Sequence, residues 1–321
     1  MSNLAALLSP DKMVKRIHGI LLRTIRRKLR TRQLTESAFE PIYIPRTAKH
    51  LVEVDLAAER DFQADISAEF GDEFAVVGEE SLTRDLDLRA EKRKCLLVDM
   101  IDGTDLLQHN FSNWCFAAVA FDPCEPKILG SYVALPNAMP LEVNRPTDYL
   151  YFATDSSGVG KKPLRVKNNA TLRFPPLNKN QKLRHASICM NTQKAQNLQA
   201  FLELAKNGKF AEWVAKTAAR KEPAFRFYNF AGNPMMVRLA DSNVKNGCVD
   251  AVIDIVGQAP HDVVPGALVA LRSGAVMKDL DGRNITEEIL AELLLQPGKN
   301  KLKYVLAVGP KLADEIIDLL N

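Results

Sequence analysis

A chain of 321 residues with 46% hydrophobic and 26% charged content has enough apolar material for a large buried core, and too little bias for a disordered or fibrous protein. Its formal net charge of +4 conceals an asymmetry: residues 1–35 hold nine Lys or Arg against Asp11 alone, about +8, while the remainder sums to about −4. Five cysteines, an odd number without CxxC spacing and mostly in apolar surroundings, argue against a disulfide framework or a zinc site and for free thiols in a reducing, cytoplasmic setting. No apolar run approaches the roughly 18 residues of a membrane span, and the short Leu4–Leu8 stretch precedes the basic residues, unlike a signal peptide.

The first predicted element is a basic amphipathic helix from about Pro10 to Gln33, opened by Ser9-Pro10-Asp11, with Val14, Ile17, Leu21, Ile25 and Leu29 on one face. A second helix is expected over Leu51–Phe70, then a short extended piece at Val76-Val77 leading to Gly78-Glu79-Glu80-Ser81, and a charged surface loop over 82–94. Lys94–Asp99 reads as a buried strand ending in a carboxylate. Trp114–Phe121 and Lys127–Leu135 form a hairpin around Asp122-Pro123-Cys124-Glu125-Pro126, and Tyr149–Ala153 adds a strand. In the second half the pattern gives a strand at Ala186–Met190, a helix at Ala195–Lys206, a helix at Pro234–Leu239 and a strand at Val249–Ile255. It continues with a helix at Pro265–Ser273, an extended Ala275–Met277, a turn at Asp279–Gly282, and a closing strand (Tyr304–Val308) and helix (Lys311–Leu320). Hairpins mixed with strand–helix alternation make the class α+β or layered α/β.

Three segments carry chemistry. In Asp99-Met100-Ile101-Asp102-Gly103-Thr104-Asp105, two carboxylates three residues apart can converge across a turn, with the Ile101 carbonyl between them, a glycine that admits a ligand and a threonine hydroxyl. Taken alone the segment reads equally as an Asx turn, and it is no EF-hand because Ile101 stands at the third position. Gly78-Glu79-Glu80-Ser81 alone reads as a solvated acidic turn. His261-Asp262-Val263-Val264-Pro265-Gly266 alone reads as a helix with an N-cap aspartate.

In this order and at these separations, the three segments resemble the signatures of the inositol monophosphatase family, part of the lithium-sensitive, fructose-bisphosphatase-like superfamily. Leu51-Val52-Glu53-Val54-Asp55 and Ser273-Gly274-Ala275-Val276 extend the resemblance over about residues 10–320. It implies an α+β, layered αβαβα sandwich forming a single phosphatase unit, with subdomains of about 1–183 and 184–321, and commonly a homodimer. It implies that Glu79, Asp99 and the Ile101 carbonyl bind one Mg²⁺, that Asp99, Asp102 and Asp262 bind a second, and that a weaker third sits by Glu79. Mn²⁺ would be able to substitute. Thr104, held by Asp55, would orient the attacking water with Glu79 assisting. Asp102, Gly103, Thr104 and Asp254 would meet the substrate, a small phosphorylated metabolite, and lithium would inhibit.

The chemistry is consistent with that set. Four bare carboxylates at about 4 Å would repel by several kcal/mol at intermediate dielectric, two Mg²⁺ cancel the charge, and an all-oxygen set favours Mg²⁺ or Mn²⁺ over zinc. The chain departs from the family pattern at Met100 (usually proline), His261 (usually tryptophan), Arg272 (often glutamate) and Pro265, and most strongly over Tyr228–Pro234, where substrate is bound. Fructose 1,6-bisphosphate and 3′-phosphoadenosine 5′-phosphate are alternative substrates, and a catalytically silent binding or regulatory protein is the alternative of another class. The basic N-terminal helix reads as a solvated face more readily than as a membrane contact, and its lack of aromatic residues speaks against nucleic acid.

Overall fold

The computed structural model describes residues 9–20, 41–44, 49–104, 106, 113–135, 149–164, 170–192, 194–206, 208–219, 225–242 and 249–321, with the backbone alone at 17–20, 41–44 and 49–54. Helix α1 (Pro10–Ile20) begins where Ser9-Pro10-Asp11 predicts, the Ser9 carbonyl accepting the Met13 amide at 3.1 Å. The basic cluster from Arg23 to Arg32 and the expected helix continuing to Gln33 lie outside the described residues. Arg16 is not on a solvated face: it is buried, pairs with Glu69, and sits over the Phe70 ring at 5.1 Å.

An antiparallel ribbon of β1 (Pro41–Ile44) and β2 (Lys49–Val52) precedes α2 (Glu53–Phe70). The helix therefore starts two residues after the expected Leu51, because Leu51 and Val52 pair with Ile42 and Pro41. Helices α1 and α2 pack through Met13, Phe62 and Ile66 onto the first sheet. That sheet runs in chain order: β3 (Phe74–Gly78), β4 (Lys94–Asp102), β5 (Cys115–Asp122), β6 (Lys127–Leu135), β7 (Tyr149–Thr154) and β8 (Gly158–Pro163). Only β3 and β4 are parallel. Strand β8 escapes the sequence pattern because Gly158-Val159-Gly160-Lys161-Lys162-Pro163 offers one large apolar residue; as an edge strand it is specified by its ladder to β7.

The second half contributes β9 (Ser187–Met190), α3 (Ala195–Ala205), α4 (Gly208–Ala218), β10 (Arg226–Tyr228), α5 (Asn233–Ala240), β11 (Ala251–Gln258), α6 (Pro260–Arg272), β12 (Val276–Lys278), α7 (Glu287–Leu293), β13 (Leu302–Ala307) and α8 (Pro310–Leu320). Its sheet has the order β10-β9-β11-β13-β12, with β10, β9 and β11 parallel and β13 antiparallel to both neighbours. Helix α4 and strand β10, not among the expected elements, are held by an aromatic cluster in which the Trp213 and Phe225 rings lie 4.1 Å apart.

Helices α5 and α6 fill the space between the sheets, with Val237, Leu239, Val263, Val264, Ala267 and Leu268 fully buried. Each of the Val and Leu side chains contributes about 1.5–3 kcal/mol on leaving water. Helices α3, α4 and α8 cover the outer face of the second sheet. The layers are thus αβαβα, as expected. Arg272 joins them by bonding Glu287 through two nitrogens at 3.0 Å and Asp155 at 3.0 Å. Among the described residues no helix is long and apolar enough to cross a membrane, and Cys95, Cys115, Cys124 and Cys189 are free thiols; Cys248 lies outside them.

Candidate metal centre and active site

In a regular strand, Asp99 and Asp102 would point to opposite faces, because side chains alternate and the separation is odd. Strand β4 does not end at Asp99 in a turn, as the sequence suggested. It continues to Asp102 through a bulge: Asp99 pairs with Ala117 and Asp102 with Cys115, so β4 carries one extra residue. The extra residue turns both carboxylates to the same side. Asp99 Oδ1 accepts the Ile101 amide at 3.0 Å inside the bulge. Gly103 follows at φ +95°, a left-handed conformation that side chains disfavour, and a Cβ there would lie 3.4 Å from Trp114 Cα.

Next, Thr104 Oγ1 donates to Asp55 Oδ2 at 2.6 Å and lies 3.0 Å from the Ile101 carbonyl. Glu79 follows the end of β3, where its amide donates to the Val98 carbonyl at 2.8 Å and sets it beside Asp99. One turn beyond Asp55 on α2, Glu59 is buried and accepts the Glu80 amide at 3.0 Å. Its carboxylate occupies the space where a Gly78 side chain would be, 1.8 Å from an ideal Cβ. Gly78→Ala should therefore evict Glu59 and orphan the Glu80 amide, lowering stability by about 1–2 kcal/mol. Thermal denaturation checks this.

The third segment comes from the other half of the fold. Helix α6 begins at Pro260, five residues before the expected start, because Ala259 is extended and its carbonyl accepts the Asp262 amide at 3.1 Å. Asp262 is therefore inside the first turn instead of capping it, where the helix dipole favours a negative charge. His261 is buried, with Nε2 3.5 Å from Glu79 Oε1 and 3.6 Å from Asp262 Oδ1. Its Nε2 thus lies between two acids and away from solvent.

Asp99, Asp102 and Asp262 each present an oxygen within 4.8 Å of the others. Burial, joined by repulsion from Glu79 and the two other aspartates, pushes Asp99 well above the usual carboxylate range. Burial and Asp262 push Asp102 up to about 8, and burial raises Asp262. Asp55 is pushed up to about 7, mainly by burial, and Glu59 is also raised by burial. Three converging oxygens, whose burial and mutual repulsion His261 and Lys194 offset only in part, suit hard divalent ions. The residues present fit Mg²⁺ or Mn²⁺.

A basin of about 390 Å³ opens over this cluster and takes in Glu79, Asp99, the Ile101 segment, Asp102, Gly103, Thr104 and Asp262. Of its remaining walls, Phe230 belongs to the Tyr228–Pro234 segment that the resemblance gave to substrate, while Asn113, Asn191, Lys194 and Gln258 carry no such mark in the sequence. Asp55 lies behind Thr104. Asp254, expected to meet substrate, is 1% exposed, and its Oδ1 accepts the Val256 and Gly257 amides. Glu59 was also missed, although its i, i+4 spacing from Asp55 on one helix face was a usable signal. Asn233 was read only as part of a divergent segment. It donates to Asp102 Oδ2 at 3.1 Å.

The two sheets and their helices make a layered αβαβα sandwich, with an acidic, oxygen-only cluster drawn from β4 and α6. The chain has the inositol monophosphatase fold. A protein from Pyrococcus horikoshii described as similar to inositol-1 monophosphatase superposes with a TM-score of 0.61 at 18% identity, covering 97% of each chain. Inositol monophosphatase II from Staphylococcus aureus gives 0.58 at 20% identity over 94% of this chain and 89% of that one. An inositol monophosphatase/NADP phosphatase, solved with NADP and Ca²⁺, gives 0.58 at 18% identity over 98% and 96%. No protein-family model matches the sequence, and no curated protein matches it significantly.

Proposed function

We propose that this chain hydrolyses a small phosphate monoester, an inositol monophosphate-like polyol or sugar phosphate, with Mg²⁺ held by Asp99, Asp102, Asp262, Glu79 and the Ile101 carbonyl. The observation that carries this reading is the convergence of three aspartates from β4 and α6 within 4.8 Å at the floor of the basin. Bound divalent ions would supply charge neutralisation, a lowered water pKa and stabilisation of the leaving oxygen. Asp55 accepts the Thr104 hydroxyl proton and leaves the Thr104 oxygen lone pairs to orient a water. The Glu79 carboxylate, at the same floor, takes the proton of that water. The backbone amides at Gly103 and Thr104 receive phosphate oxygens.

On the alcohol side, Phe230 supplies a ring face, Lys194 a cation and Asn113, Asn191 and Gln258 amide groups. This wall favours a substrate with a ring and further polar or anionic groups, and keeps 3′-phosphoadenosine 5′-phosphate and fructose 1,6-bisphosphate beside inositol phosphates. The intact carboxylate set speaks against a catalytically silent protein. The test is phosphate release across these compounds with Mg²⁺, with and without lithium. Turnover of one of them, inhibited by lithium, is expected. No turnover of any, despite cation binding, would favour the silent alternative.

A further inference from the structure

Helices α5 and α6 meet backbone to backbone: a Cβ on Gly266 would lie 2.8 Å from Asn233 Cα. At this crossing Pro265 interrupts α6 and removes the amide that would close onto the His261 carbonyl. That carbonyl instead accepts Asn233 Nδ2–H at 2.8 Å. The following amide, Gly266 N–H, would regularly reach the Asp262 carbonyl; here it donates to Asn233 Oδ1 at 2.7 Å. A single fully buried side-chain amide thus supplies two hydrogen bonds to the proline-interrupted turn. The second Nδ2 hydrogen goes to Asp102 Oδ2 at 3.1 Å, so both donors and the acceptor of Asn233 are used.

The consequence is mechanical. Asp102 stands on the β4 bulge of the first sheet, and Asp262 stands in the turn of α6 that Asn233 repairs. We propose that Asn233 is a positioning residue which couples Asp102 to the Asp262 turn and thereby sets the spacing of the carboxylates for divalent cations. This rests on the cation reading above. An asparagine is required because it alone among small side chains offers two donors and an acceptor in one plane. Serine or threonine would satisfy at most one of the two carbonyl or carboxylate acceptors, and an ionised aspartate neither.

The test separates this role from simple helix repair. Asn233→Ala, Pro265→Ala and the double variant are compared in the full chain by thermal denaturation and by calorimetric Mn²⁺ titration. Pro265→Ala restores an amide that can close onto the His261 carbonyl, and Asn233→Ala leaves Gly266 N–H to the Asp262 carbonyl. In the double variant most of the thermal stability lost in Asn233→Ala should return. Its Mn²⁺ affinity should stay about 10-fold or more below that of Pro265→Ala, because Asp102 still lacks its donor. If Asn233→Ala alone does not fold, the comparison of the double variant with Pro265→Ala carries the result. Equal Mn²⁺ affinity in those two proteins would reduce Asn233 to a helix patch and overturn the inference. Failure of the unmutated protein to bind Mn²⁺ would instead overturn the cation reading on which it rests.

Discussion

Asp99→Asn should lower Mg²⁺-dependent phosphate release by on the order of 10³-fold or more and, in the absence of metal, raise the melting temperature. Both effects come from one property. Asp99 is 4% exposed and is the carboxylate most crowded by its neighbours Glu79, Asp102 and Asp262. The amide is nearly isosteric, and its oxygen can still accept the Ile101 N–H that shapes the bulge. The fold should therefore survive while the charge disappears. Losing the ionisable group removes both the repulsion around it and the proton uptake that avoids that repulsion, and it removes one of the oxygens proposed to hold the cation. Added Mg²⁺ should stabilise the unmutated protein markedly and the variant little. Undiminished turnover would sink the site assignment, and a melting temperature lowered by many degrees without metal would mean that Asp99 has a packing role instead.

The second large effect is a stability that falls with rising pH when metal is withheld. Asp102 is pushed from 3.8 up to about 8, and Asp55 from 3.8 up to about 7, with burial the leading cause in both. Because these folded-state values lie above those of the unfolded chain, the folded protein binds more protons between about pH 4 and pH 8. Its stability is then fully present below about pH 4 for these groups and declines as pH rises through 7 and 8. Chelated protein should lose roughly 5 °C or more in melting temperature between pH 5 and pH 8. Millimolar Mg²⁺ should restore most of that loss at pH 8 and little at pH 5, where the ion competes with bound protons. Thermal denaturation at the two pH values, with and without Mg²⁺, reads both signs. A metal-free protein equally stable at pH 5 and pH 8 would contradict the electrostatic account of the cluster.

What the sequence made legible was the chemistry carried by short runs of residues. Asp99, Asp102, Thr104, Glu79 and Asp262 were singled out because their segments, each ambiguous alone, together resemble the signatures of one family. The elements that position them were less legible. The bulge in β4 leaves no mark in Lys94–Asp102, since it is defined by which β5 residues oppose it. The early start of α6 at Pro260 hid behind Pro265, which reads as a helix start although it stands inside the helix. Asn233 is silent in one dimension: its partners Asp102, His261 and Gly266 are 131, 28 and 33 residues away. Asp254 is legible only as a strand-end acid: that its Oδ1 accepts the Val256 and Gly257 amides depends on how the end of β11 folds.

The measurement that tests the central claim most directly is a Mg²⁺ titration of phosphate release by chelator-treated protein, with inositol monophosphate, a sugar phosphate and 3′-phosphoadenosine 5′-phosphate supplied in parallel. The account predicts no release from any of them without metal and a saturable return of activity toward at least one as Mg²⁺ is added, absent in Asp99→Asn. Release that persists at full strength in the chelated protein, or that Asp99→Asn leaves intact, would contradict it.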